Sequence, residues 1–256
     1  MIRFECDYAE GAHPKVLELL SKTNFEQTPG YSVDMYCEKA RVIIKELCQA
    51  DKADVHFLVG GTQANTIVIE SILRPHQGAV SAETGHINVH ETGAIEATGH
   101  KVLTVPSDDG KITAGQVMLV YDNHWNDASH EHAVQPGMVY ISNPTENGTL
   151  YTKKELTEIS EVCRRLGLPL FLDGARMGYG LMAEGNDLTL QDIARLCDVF
   201  YIGGTKVGAL FGEAVVITNQ YLKKDFRYMI KQHGGMLAKG RLLGIQFIAL
   251  FEEGLY

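Results

Sequence analysis

A chain of 256 residues that is 45 % hydrophobic can bury a substantial core as one large domain, with a small appendage at most. Its formal charge of -9 argues against nucleic acid or an anionic membrane as the main partner. Five scattered cysteines (Cys6, Cys37, Cys48, Cys163, Cys197) without a CxxC pair read as reduced thiols of a cytoplasmic protein, not as a disulfide framework or zinc site. No apolar run approaches the length of a membrane span, and the N-terminus lacks a signal-like apolar core.

The first helical pattern begins at His13-Pro14, with Val16, Leu17, Leu19 and Leu20 as its apolar stripe. Residues 22–36 are polar around Pro29-Gly30 and read as an exposed loop. A second helix is expected over 32–48, burying Ala40, Val42, Ile43 and Leu47. The run 55–59 is strand-like and enters Gly60-Gly61-Thr62-Gln63-Ala64-Asn65, then a helix. A strand, a glycine turn and a helix N-terminus make an anion site, because unpaired N–H groups and the helix dipole converge there. Neither a Walker loop nor GxGxxG spacing is present, so a single phosphate monoester suits it; the alternative is a plain tight turn.

Short strands are expected at 78–81 and 101–106, with His86 and Glu91 on a helix-like stretch between them. The segment 122–132 holds His124, His130 and His132. Without Cys or HExxH it reads as a solvated loop and no metal is assigned. A strand at 138–141 leads into Ser142-Asn143-Pro144-Thr145-Glu146. An amphipathic helix follows, with Leu156, Ile159, Val162 and Cys163 at helical spacing and Gly167 as its stop.

Two apolar runs then organise the chain. Leu168 to Leu172 ends on Asp173-Gly174-Ala175-Arg176, and Val199 to Ile202 ends on Gly203-Gly204-Thr205-Lys206. Two parallel strands would deliver an Asp and a Lys to the carboxyl edge of a sheet, where open α/β folds bind ligands. Both charges are costly to bury without partners. Pyridoxal phosphate would satisfy both, since its ring nitrogen wants a carboxylate and its aldehyde an amine; the alternative is an ordinary ion pair. A further strand is expected at 214–217. The alternation of strands and helices predicts a mostly parallel α/β sheet. The last stretch, 236–256, reads as an amphipathic helix whose apolar face (Leu242, Leu243, Ile245, Phe247, Ile248, Leu250) needs a second domain or another subunit to cover it.

The glycine loop, the His86 helix, Asp173-Gly-Ala-Arg176 and Thr205-Lys206 occur in an order that resembles fold-type I pyridoxal-phosphate enzymes. Within these the chain looks like the low-specificity L-threonine aldolase and β-eliminating lyase group, from Asp7 to about Tyr256. The resemblance implies a central sheet sandwiched by helices. It implies a cofactor-binding large domain over 1–235 and, over 236–256, the helix leading into a small C-terminal domain that the chain does not contain. It also implies that Lys206 bonds the cofactor covalently and Asp173 pairs with the ring nitrogen. His86 would stack on the ring with Glu91 behind it, and Gly61, Thr62 and Asn65 would hold the phosphate. Arg176 would bind the substrate carboxylate or sit near the ring hydroxyl, with Asp7 and Tyr31 also at the substrate. Tyr31 would reach a neighbouring subunit's site, in a homodimer or homotetramer.

The chain departs from the family pattern in places. Glu5-Cys6-Asp7-Tyr8 stands where the family has Arg-Ser-Asp-Thr, and Glu146 where it usually has the His of a Thr-His pair. The activity implied is cleavage of threonine or allo-threonine-like β-hydroxy amino acids to glycine and an aldehyde, with His86, or equally a water held by His86 or Glu91, as the base near the β-oxygen. β-Elimination or an aminotransferase-like reaction on the same cofactor is the first alternative. An impaired, cofactor-binding fragment is the second.

Overall fold

Apolar runs between glycine turns become seven strands: β1 (Asp54–Leu58), β2 (Gln77–Ala82), β3 (Lys101–Val105), β4 (Gln135–Ser142), β5 (Leu170–Asp173), β6 (Val199–Gly203) and β7 (Glu213–Ile217). The computed structural model describes residues 3–252 and 254–256. The strands form one sheet in the order β1-β7-β6-β5-β4-β2-β3. All pairings are parallel except those of β7, which is antiparallel to both β6 and β1. Six strands therefore point one way and β7 alone runs back.

The helices are α1 (Pro14–Lys22), α2 (Met35–Cys48), α3 (Gly61–Ile72), α4 (His86–Val89), α5 (Ala94–Ala97) and α6 (Ala114–Trp125). They continue as α7 (Lys153–Leu166), α8 (Met177–Met182), α9 (Leu190–Leu196), α10 (Phe226–Gln232) and α11 (Arg241–Glu252). Successive strand residues bury to opposite faces, as the period of two requires. Leu170, Leu172, Phe200 and Ile202 join the core under α2, α7, α9 and α11. Phe171, Val199, Tyr140 and Tyr201 join the core under α3 and α10. Asp173, next in alternation after Leu172, falls on the α3 side. None of the described helices is long and apolar enough to cross a membrane.

Local signals explain most boundaries. Helix α7 opens with a capping box between Thr152 and Glu155 and stops at Gly167, which takes φ 69°. Helix α2 starts three residues later than expected because Asp34 caps it, accepting from the Tyr36 and Cys37 N–H groups. Its buried face is Cys37, Ala40, Ile44 and Cys48, whereas Val42 and Leu47 are exposed; the expected stripe was rotated by about one residue.

The C-terminal segment corrects a larger expectation. Its helix covers only 241–252, and Leu243 to Leu250 are all buried within this chain. Helix α11 packs mainly on α2 and α1, so neither a second domain nor another subunit is needed to cover it. A helix apolar on nearly every side belongs inside a core.

Candidate active site

The carboxyl ends of β1, β2, β4, β5 and β6 and the amino end of β7 meet at one edge of the sheet. There Asp173 is buried and held by four donors. Tyr201 Oη (2.5 Å) and the Ala175 N–H (3.0 Å) reach Oδ1, while Tyr140 Oη (2.6 Å) and Asn65 Nδ2 (3.1 Å) reach Oδ2. Burial first, then the negative Asp173, pushes both phenols well above the ordinary tyrosine range, so both act as donors. The two strand ends approach too closely for side chains. A Cβ at Gly174 would lie 2.0 Å from the Tyr201 carbonyl oxygen, and one at Gly203 would lie 2.4 Å from that of Ala175.

Lys206 rides on the loop between antiparallel β6 and β7, which is fastened from several directions. The Thr205 hydroxyl donates to Glu213 Oε1 at 2.8 Å, and the Leu210 N–H donates to Gln246 Oε1 of α11 at 2.7 Å. Tyr179 Oη donates to the Lys206 carbonyl at 2.5 Å, and Tyr256 Oη to that of Gly203 at 3.0 Å. The Lys206 ammonium lies 5.9 Å from the Tyr8 ring centroid. Burial pushes the Glu213 carboxyl up to about 8.

Opposite Asp173, His86 opens α4, and its Nδ1 lies 2.7 Å from Glu91 Oε1. Asn65 Nδ2 reaches the same Glu91 oxygen at 2.6 Å. The Glu91 hydrogen bond, with the Asp173, Glu91 and Glu146 charges, holds the His86 imidazole above its ordinary pKa against the opposing effect of burial. The His86 backbone N–H donates to Glu146 Oε1 at 3.1 Å, and Ser142 Oγ donates to the same oxygen at 2.6 Å.

One pocket of about 140 Å³ brings together Gly61, Thr62, His86, Glu146, Asp173, Arg176 and Lys206. Helix α3 starts at its rim without any side-chain cap, leaving its first N–H groups free for an anion. Two of the sequence-predicted residues, Asn65 and Arg176, sit otherwise than expected. The Asn65 amide bridges Glu91 and Asp173, which puts its side chain against these two carboxylates. Arg176 is engaged by Asp7, through Nε at 2.5 Å and Nη2 at 3.2 Å, so the two expected substrate contacts bind each other. Tyr31 lies outside this pocket, about half-exposed at φ 59° under the Lys231 ammonium.

Tyr140, Tyr201, Ser142 and Glu213 went unnoticed in the sequence. The available signal was a tyrosine inside each of two apolar strands, since a buried phenol needs a partner. Among the described residues no three His, Cys, Asp or Glu side chains converge as metal ligands. His124 and His130 instead pack their rings around Trp125.

The family model described as beta-eliminating lyase matches residues 23–256. The chain belongs to the beta-eliminating lyase family. The low specificity L-threonine aldolase of Pseudomonas sp. (strain NCIMB 10558) is 32 % identical over 254 residues, covering 98 % of this chain and 72 % of that protein. The threonine aldolase structure from Leishmania major superposes with a TM-score of 0.94 at 52 % identity, covering 97 % of this chain and 72 % of that one. Cystalysin from Treponema denticola, a structure that contains pyridoxal 5'-phosphate, shares the fold at a TM-score of 0.72 and 16 % identity.

The side chains at this edge fit that cofactor. An uncapped helix N-terminus suits its phosphate, the Asp173 carboxylate its ring nitrogen and the Lys206 amine its aldehyde. Unpartnered buried atoms also gather at this edge: Asn65 Oδ1, Glu91 Oε2 and Glu213 Oε2.

Proposed function

We propose that this chain is a pyridoxal-phosphate-dependent aldehyde-lyase that cleaves threonine-like β-hydroxy amino acids to glycine and an aldehyde. The observation that carries the reading is the delivery of Asp173 and Lys206, by adjacent parallel strands, to a pocket walled by a His86–Glu91 pair. Bound there, the cofactor supplies an electron sink for charge developing at the substrate α-carbon.

The chain's own residues do the rest. Gly61 and Thr62, at the uncapped start of α3, would present backbone N–H groups to the phosphate. Asp173, held in place by its four donors, would pair with the ring nitrogen and keep a proton on it. Glu91 accepts from His86 Nδ1, which leaves Nε2 free to take the proton of the substrate β-hydroxyl. Removal of that proton turns the β-carbon into a carbonyl as the Cα–Cβ bond breaks. A proton delivered to Cα then completes glycine. Arg176 binds the substrate carboxylate after exchanging Asp7 for it, a bidentate pairing its fork geometry favours.

We further infer a cytoplasmic homo-oligomer, a dimer or a tetramer. All five cysteines are free thiols. The loop carrying Tyr31 exposes Phe25, Val33 and Met35 and places Tyr31 and Ser32 in consecutive left-handed conformations, a local strain of roughly 1–3 kcal/mol each that an assembly contact would offset. Sedimentation of the wild type beside Tyr31→Ala tests this; a monomer with full activity overturns it.

The deciding experiment is an absorbance spectrum with cofactor, before and after borohydride, for wild type and Lys206→Ala. A reducible band confined to the wild type, with acetaldehyde and glycine formed from L-threonine or L-allo-threonine, is the expected result. Pyruvate from L-serine without aldehyde would instead identify an eliminating enzyme.

A further inference from the structure

Glu213 is a buried carboxyl beside the candidate site to which the reaction above gives no part. It opens β7, where the register sets it between Gly203 of β6 and Leu58 of β1. Alternation with Val215 puts its side chain on the α3 side of the sheet, the side that holds Tyr201 and Asp173. Glu213 is 3 % exposed. The Thr205 hydroxyl donates to its Oε1 at 2.8 Å, whereas its Oε2 is sealed and has no hydrogen-bond partner among the described residues.

Thr205 is fastened on both sides, since its oxygen also accepts the Gly212 N–H at 3.1 Å, and the Gly204 N–H donates to the Gly212 carbonyl at 2.8 Å. Glu213 thus fixes the residue next to Lys206, while its second oxygen makes no hydrogen bond to that lysine. Asp173, on the same face, has four donors, and Glu213 has one neutral hydroxyl. A buried carboxyl served by a single neutral donor is more stable with its proton than without it.

We infer that Glu213 is a positioning residue for Lys206: as a neutral acid it anchors Thr205 and gives the lysine no counter-charge, whereas as a carboxylate it holds the lysine's proton on. Ionisation breaks the Glu213 O–H bond and releases that proton to solvent, leaving one negative charge beside the loop. No other bond forms or breaks. The coupling is reciprocal, so the Lys206 ammonium favours ionisation of Glu213 by the same free energy with which the carboxylate favours the ammonium.

The groups facing Glu213 suit this part. Asp173 acts on it from the end of β5, Tyr201 from β6, Lys206 from the loop and Tyr256 from beyond α11, while β1 sets the uncharged Leu58 opposite. Burial, opposed by the Thr205 hydrogen bond, then reinforced by the Asp173 charge and opposed by that of Lys206, pushes the carboxyl up to about 8. At neutral pH it therefore carries its proton. The coupling belongs to the cofactor-free chain, and its bearing on the capture of an aldehyde by Lys206 rests on the function proposed above.

Infrared spectroscopy of the full cofactor-free chain in heavy water reads this proton. The carboxylic-acid carbonyl band that Glu213→Gln removes is that of Glu213, and in the wild type it should fade as pH rises through about 8. Lys206→Ala should move the fading to higher pH, because the ammonium that favours ionisation is gone. A second arm labels Lys206 with acetic anhydride across the same pH range, read by mass spectrometry of the modified peptide. At alkaline pH the lysine of Glu213→Gln should react about tenfold faster than that of the wild type, the effect expected when a nearby opposite charge is removed, and at neutral pH the two should match. The glutamine keeps an oxygen for Thr205, and thermal melting confirms that each variant folds. Absence of the band at neutral pH, a fading indifferent to Lys206→Ala, or equal labelling at alkaline pH overturns the inference. Neither arm uses the cofactor, so the borohydride experiment on Lys206 fails or succeeds independently of this outcome.

Discussion

Asp173 and Arg176 stand three residues apart after the same strand, yet they are held in opposite ways. Asp173 is buried, takes four donors and sits between two tyrosines of neighbouring strands. Arg176 is about a third exposed and is bound by Asp7, which comes from the irregular N-terminal segment. The end of the site proposed to meet the cofactor ring is thus fixed before anything binds, because the sheet itself sets its geometry. The end proposed to meet the substrate is closed by an ion pair, and exposed pairs of this kind contribute only about 0–1 kcal/mol. Rigid placement serves the unchanging partner, and an easily broken contact serves the one that comes and goes.

The largest effect that would test this contrast is on the rigid side. Asp173→Asn should lower kcat/KM by about a thousandfold, within the range of a positioned group that controls a proton. It should also weaken cofactor binding, measured by equilibrium dialysis. Unchanged cofactor affinity would mean that the four donors serve packing alone. Next comes the wall opposite: His86→Asn should reduce aldol cleavage about a hundredfold while leaving cofactor affinity near that of the wild type. An unchanged rate would leave His86 with a packing role only.

A smaller effect concerns pH. Because the His86 pKa is raised in the folded state, its pairing with Glu91 adds stability fully present below the unfolded value of about 6.5 and lost as pH rises through the folded value. Glu91→Gln should bring the imidazole titration, followed by NMR, back down toward the ordinary range and flatten that part of the stability profile. The smallest effect belongs to the open side. Asp7→Asn should shift Tm by no more than the about 0–1 kcal/mol expected of an exposed pair, while altering KM for the amino acid. A large loss of stability there would erase the contrast between the two ends.

Most of this frame was legible in the chain itself. Asp173 and Lys206 announce themselves because each is a charge at the end of an apolar run, followed by glycine. What surrounds Asp173 was not legible. Tyr140, Tyr201 and Asn65 lie on β4, β6 and α3, and their convergence depends on a strand order that periodicity along one segment cannot reveal. Asn65 was misplaced for the same reason: it follows a glycine turn, but one further step along α3 rotates its side chain toward the sheet. The C-terminal helix shows a different failure. Its apolar residues were read as one stripe in need of a partner, although Leu243 to Leu250 is apolar nearly all round, the mark of an interior helix.

That interior helix holds a single buried polar side chain, Gln246, and its oxygen accepts the Leu210 N–H on the loop that carries Lys206. Helix α11 is thereby a latch as well as a wall. A local opening of α11 would release the lysine loop while the sheet stayed intact, since local openings need far less free energy than global unfolding. Heat or proteolytic nicking within α11 should silence the protein well before its circular dichroism reports any loss of fold.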